Sequence, residues 1–115
     1  LNVLKKYGKK YDLEFEVLLS RDASPVSDIH SAAYSFVEKT IRAHFPDAGV
    51  APYLIMGGTD CRHFHALTET ALRFAPVRMT TAQSNSCHAV DENATVASLA
   101  EGVRFFKMFL KEYPL

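Results

Sequence analysis

Seven residues, Val50-Ala-Pro-Tyr-Leu-Ile-Met56, pass with almost no polar side chain and then meet Gly57-Gly58-Thr59-Asp60. This run constrains the fold more than any other stretch of the chain. An apolar run without alternation suits a strand buried on both faces, as in a parallel sheet. Pro52 cannot donate to a ladder and so belongs near the strand's start. The glycines that follow let the backbone turn sharply or approach a ligand closely.

The remaining segments fit around such a strand. Leu13 to Leu19 alternates, with Leu13, Phe15 and Val17 on one side and Glu14 and Glu16 on the other, the pattern of a half-buried strand. Ala71 to Val77 is a further strand candidate. Leu1 to Tyr7 reads as the end of a helix, with Gly8 as its stop. Ser27 or Asp28 can cap a helix running to about His44, with Ile29, Ala33, Phe36, Val37, Thr40 and Ile41 as its apolar stripe. Met79 to Ser86 is polar and loop-like. A long helix is expected from Thr95 to Glu112, its core face formed by Val96, Leu99, Val103, Phe106 and Leu110. This order predicts an α/β fold in which helices pack on a mostly parallel sheet. The best boundary lies near Ala23 to Ser27. Residues 1–23 are too few to fold alone and read as the tail of a neighbouring domain, and residues 24–115 form the larger unit.

Charge and length exclude some partners. Thirteen basic and thirteen acidic residues cancel, with no basic stripe, which argues against nucleic acid. No apolar run approaches the roughly 18 residues that cross a bilayer. The chain starts at Leu1 without a signal-peptide pattern, so it is expected to begin inside something longer or to have been trimmed. Cys61 and Cys87 are too few for a disulfide scaffold. Reduced cysteines favour the cytoplasm, although any export signal would lie upstream of Leu1.

Polar groups concentrate after two places in the chain. Gly58, Thr59, Asp60 and Arg62 follow the apolar run, and ligands of open α/β sheets bind at the carboxyl ends of strands. Arg62 could hold a carboxylate through paired hydrogen bonds. The same residues also read as a tight turn with an Asp60–Arg62 surface pair. The second place is His88-Ala-Val-Asp-Glu92, where a neutral imidazole could bind zinc and a nearby carboxylate could orient it. A surface histidine followed by acids is the alternative. His63 and His65 flank Phe64 as a possible but weaker metal pair. The Phe105, Phe106 and Phe109 cluster reads as core.

Three motifs in register carry a family resemblance: Met56-Gly-Gly-Thr-Asp-Cys-Arg62, Leu72-Arg-Phe-Ala-Pro76 and His88-Ala-Val-Asp-Glu92. Together the chain resembles the co-catalytic zinc hydrolases that include aminoacylase, acetylornithine deacetylase, succinyl-diaminopimelate desuccinylase and carboxypeptidase S. Ser20 to Ser27 is similar to the carboxypeptidase S and N-acyl-amino-acid hydrolase branch. The resemblance implies that residues 1–23 end a ferredoxin-like lid domain, often the dimer contact, and that residues 24–115 belong to the catalytic domain. It implies that His88 matches the last ligand of a two-zinc centre. Gly58, Thr59, Asp60 and Arg62 match the substrate loop, and Glu92 matches the acid that supports the ligand. The implied reaction is hydrolysis of an amide or peptide bond in an N-acyl amino acid or short peptide. The family's other ligands and its general base would precede Leu1, so the 115-residue chain alone is expected to be inactive.

Two other readings compete. One is a non-catalytic α/β binding or assembly module, a truncated or degenerate relative. The other is a cysteine hydrolase built on Cys61 or Cys87, but no nucleophile-elbow pattern surrounds either residue.

Overall fold

Helices supply the regular structure in the computed structural model, which describes residues 1–114. Leu115, part of the expected second unit, lies outside the described residues. The first helix, α1, spans Asn2–Tyr11 and passes through Gly8 instead of stopping there. Gly8 is buried, and a Cβ on it would lie 2.5 Å from Phe15 Cε2 and 2.9 Å from the Leu13 carbonyl oxygen. Glycine here lets the following chain fold back onto the helix. Asp12 ends α1 in the left-handed region at φ 53°, its N–H donating to Gly8 O. Aspartate is one of the few residues that visit that region readily.

The second helix, α2, spans Ala32–His44. Ser31 caps it, accepting from the Tyr34 N–H at 3.1 Å. The expected caps are occupied elsewhere. Ser27 Oγ donates to Ala71 O at 3.1 Å and accepts from Ala71 N at 3.0 Å. Asp28 accepts from the His30 N–H at 2.8 Å and winds a turn before the helix. A short helix, α3, spans Thr81–Asn85 where a loop was expected. Thr80 and Gln83 form a reciprocal capping box that satisfies its first free N–H groups. The last helix, α4, spans Val96–Glu112 and starts where the sequence predicts, with Thr95 accepting from Ser98 N at 3.1 Å.

The expected sheet is absent: no strand occurs among the described residues. The α/β reading, with its mostly parallel sheet and its lid strand, is therefore overturned. Leu13 to Leu19, Val50 to Met56 and Ala71 to Val77 run outside the helices but form no ladder with one another. The physical reason is that side-chain pattern describes one segment, whereas a strand exists only when a neighbour takes its N–H and C=O groups. The Val50–Met56 run is also not buried on two faces. Tyr53 is 80% exposed and Met56 98% exposed.

The core lies between α2 and α4. Ile41, Phe45 and Phe105 are buried together, with Val37, Ala48, Val50 and Phe109 packed against them. Phe36 meets Phe109 edge-on at 5.1 Å between ring centres. This arrangement corrects the expected core face of α4. Val96, Leu99, Val103, Phe106 and Leu110 are all exposed, while Ser98, Gly102 and Phe105 are buried. Two faces of α4 are apolar, and the one with small residues wins because it allows close approach. A Cβ on Gly102 would lie 2.9 Å from the Pro76 carbonyl oxygen.

Arg78 clamps the same region from outside. Its guanidinium donates to both Asp47 carboxylate oxygens at 2.9 and 2.7 Å and lies 3.2 Å from Glu101 Oε2. It also sits 4.8 Å above the Phe45 ring, and its backbone oxygen accepts from Ser98 Oγ at 2.9 Å. Hydrogen bonding from Arg78 is the main influence that holds the Asp47 carboxyl below the usual carboxylate range.

The described chain is elongated. Its radius of gyration is 19.0 Å, against about 13 Å for a compact domain of roughly 100 residues. Its accessible surface is 9782 Å², whereas a folded monomer of this mass exposes about 6,300 Å². Much of the excess is apolar, including Leu18 at 85%, Met56 at 98% and Val90 at 102% exposure.

Candidate functional site

Gly58 and Arg62 line a cleft of about 900 Å³ that runs between the Arg21 to Ser27 segment, α2, the Val50–Met56 run and residues 71–74. The glycines turn without entering the left-handed region. A Cβ on Gly58 would meet nothing within 4 Å, so packing does not demand glycine there. Thr59 is extended, and residues Asp60–His63 form a 3-10 turn behind it. Arg62 N donates to Thr59 O at 3.2 Å and Phe64 N to Cys61 O at 3.0 Å, which winds the turn.

The turn is fastened to the segment that follows it. Arg73 Nε donates to Thr59 Oγ1 at 2.9 Å. Cys61 Sγ donates to Leu72 O at 3.7 Å. The two bonds between Ser27 and Ala71 anchor the residue just before these. Arg62 sends one N–H to Asp22 O at 3.4 Å, a long contact. No Asp60–Arg62 ion pair forms among the described residues, and Asp60 is exposed. Arg73 also lines the cleft. Sequence reasoning quoted Arg73 within a motif without giving it a role, because its partner Thr59 is set by folding rather than by spacing.

His88 and Glu92 lie in a separate turn. His88 adopts φ 65°, left-handed for a residue with a Cβ. Such a conformation costs about 1–3 kcal/mol and persists where neighbours hold it. Here Glu92 Oε2 accepts from the His88 backbone N–H at 2.9 Å. Ala89 N donates to Ser86 O at 2.8 Å and Glu92 N to Ala89 O at 3.3 Å. Thus the Glu92 carboxylate contacts the backbone of His88, not its ring. Gln83 Nε2 donates to Asn93 Oδ1 at 3.1 Å and ties α3 to the end of this turn. His88, Glu92 and Cys87 are exposed.

No hydrogen bond or ion pair joins the Gly58–Arg62 turn to the His88–Glu92 turn among the described residues. Nor do the described residues bring together three or more His, Cys, Asp or Glu side chains that could hold a metal ion. His63 is exposed in the 3-10 turn, and the buried Nε2 of His65 has no hydrogen-bond partner. Both cysteines are free thiols. No described helix is long and apolar enough to cross a membrane.

The sequence itself matches a family profile, that of peptidase family M20/M25/M40, over residues 5–112. It is 32% identical over 90 residues to a probable carboxypeptidase S-like protein of Dictyostelium discoideum, an alignment covering 78% of this chain and 17% of that protein. It is 32% identical over 107 residues to an N-fatty-acyl-amino acid synthase/hydrolase of Xenopus tropicalis, covering 92% of this chain and 21% of that one. The corresponding protein of Bos taurus is 31% identical over 102 residues, covering 86% and 20%. The chain thus spans about a fifth of the length of these curated relatives. No solved structure matches at comparable significance.

Proposed function

The chain belongs to peptidase family M20/M25/M40, and on that premise we propose that it serves a metal-dependent hydrolase acting on an amide or peptide bond of an N-acyl amino acid or short peptide. The names of the relatives, carboxypeptidase S-like and N-fatty-acyl-amino acid synthase/hydrolase, support this substrate class. In this reading the Gly58–Arg62 turn receives the substrate's free carboxylate. One observation carries it: Gly58 has no packing reason to be glycine, and it opens with Arg62 onto the same cleft. A bare backbone admits close approach, and the planar guanidinium matches a carboxylate with two parallel N–H bonds.

The residues present do not make a zinc centre by themselves. Zinc takes three or four protein ligands, and no such group occurs among the described residues. We therefore assign His88 as a single ligand to a centre completed by residues outside this chain, and derive no step through the metal. Glu92 contributes by fixing the backbone at His88.

The test uses the whole protein. It should hydrolyse N-acyl amino acids, lose activity to a chelator and regain it with zinc. His88→Ala should lower kcat/KM at least about a hundredfold, more than the 10- to 100-fold typical when a residue that merely supports a ligand is changed. A folded whole protein without such hydrolysis would favour a binding or assembly module instead.

A further inference from the structure

We infer that Arg73 is a positioning residue for the carboxylate-binding turn, acting through the hydroxyl of Thr59; the inference rests on the hydrolase reading above. Arg73 Nε carries one hydrogen and no lone pair, so at 2.9 Å it must donate and Thr59 Oγ1 must accept. The hydroxyl has a single proton of its own, which must then point to some other acceptor. Among the described residues Thr59 Oγ1 takes part in this one hydrogen bond, as acceptor. The Thr59 carbonyl is already engaged by the Arg62 N–H at 3.2 Å. Thr59 therefore keeps one hydroxyl proton that no described protein group takes, between Gly58 and the 3-10 turn that carries Arg62.

A guanidinium donating to the oxygen also polarises the O–H and makes it a stronger donor toward an anion. The Arg73 side chain is held for this purpose by its own surroundings. Its Nη1 leans on Ala71 O at 3.4 Å, and Ala71 is gripped at both N and O by Ser27. Neither Arg62 nor Arg73 has a carboxylate partner among the described residues, whereas Arg42 and Arg78 do. Gly58, Arg62 and Arg73 line the cleft and Thr59 lies between the first two in the turn, so on this inference an incoming carboxylate meets the Arg62 guanidinium and the Thr59 hydroxyl, and Arg73 sets the second.

The test measures binding of N-acetyl-L-leucine and of N-acetyl-L-leucinamide to the whole protein by calorimetry, alongside hydrolysis kinetics. Arg73→Gln and Thr59→Val should each raise Kd and KM for the carboxylate at least about tenfold, the loss of one charge-assisted hydrogen bond. Both should leave kcat within about twofold and weaken the carboxamide clearly less than the carboxylate, because the neutral oxygen makes the weaker hydrogen bond. Because one residue acts through the other, the double variant should be no worse than either single variant. Arg73→Lys, which keeps a cationic donor, should recover part of the affinity. Thr59→Val is nearly isosteric and keeps the test open if Arg73→Gln fails to fold. Additive effects, equal losses for acid and amide, or an unchanged Kd would overturn the inference. A protein that binds the carboxylate through Arg73 but hydrolyses nothing would overturn the hydrolase reading alone. A protein that neither binds nor hydrolyses the probe would overturn both.

Discussion

Gly102→Ala sets two physical effects against each other, and the structure decides the sign. In an exposed helix interior, alanine is better than glycine by about 1 kcal/mol. At position 102 the new Cβ would lie 2.9 Å from Pro76 O and 3.7 Å from Pro76 C and Cγ. Even a close C–H···O contact spans about 3.3–3.6 Å, so α4 and the Pro76 segment must separate by about 0.4 Å. Neither side yields easily. Pro76 is buried, its φ is fixed by the ring, and Ser98 Oγ binds Arg78 O two residues further on. Overpacking of this kind costs about 1–3 kcal/mol, which leaves a net destabilisation of about 1 kcal/mol. Urea unfolding followed by circular dichroism on the whole protein reads it directly. Val103→Ala is the control: Val103 is 57% exposed on the same helix, and alanine should be neutral or mildly stabilising there. If Gly102→Ala stabilises the protein by about the propensity difference, the close approach of Pro76 to α4 is wrong.

Further outcomes follow from the same contacts. Phe105 is 1% exposed and central to the aromatic core, so Phe105→Ala should cost about 3–5 kcal/mol in the same unfolding assay. The Asp47 carboxyl has a folded value below its ordinary 3.8, chiefly through Arg78. Its contribution to stability is therefore complete above that ordinary value and is lost as pH falls through the depressed one. Asp47→Asn should flatten that part of the acid-unfolding profile without changing stability's dependence on pH near neutrality. The 115-residue chain alone should take up no stoichiometric zinc in equilibrium dialysis, since its described residues hold no three-donor group. The same isolated chain should self-associate in analytical ultracentrifugation because of its exposed apolar surface. A monomer that unfolds cooperatively would contradict that expectation.

What the sequence made legible was local. Thr95 followed by a sustained apolar period locates α4, and Phe45-Pro46 ends α2 close to where a helix breaker should. The Thr80-x-x-Gln83 box was present for α3, but its five residues are too few to show a period. What failed depended on partners distant in sequence. The start of α2 moved because Ser27 is spent on a residue 44 positions away. Strand patterns in three segments found no neighbour to pair with. Periodicity chose the Val96, Leu99, Val103, Phe106 and Leu110 face of α4 as core, and the structure buries another, although Ser98 and Gly102 at i and i+4 were the available sign of a close-packed face. The site divides in the same way. The glycine turn and Arg62 stand out in the sequence and open on a cleft, whereas Arg73 meets Thr59 across 14 positions and only folding reveals the pair.

The exposed apolar run carries a safeguard against self-assembly into fibrils. Cross-β stacking needs a segment of about six or seven residues in which each chain's backbone groups pair with the chains above and below. Here the longest uninterrupted apolar stretch is Tyr53–Met56, with Pro52 on one side and Gly57-Gly58 on the other. Proline leaves a gap in any such ladder, and the paired glycines offer no side chains to interdigitate. The Tyr53–Met56 stretch is thus too short to template a cross-β ladder, and the self-association expected of the isolated chain is of a different kind, contact between exposed apolar side chains.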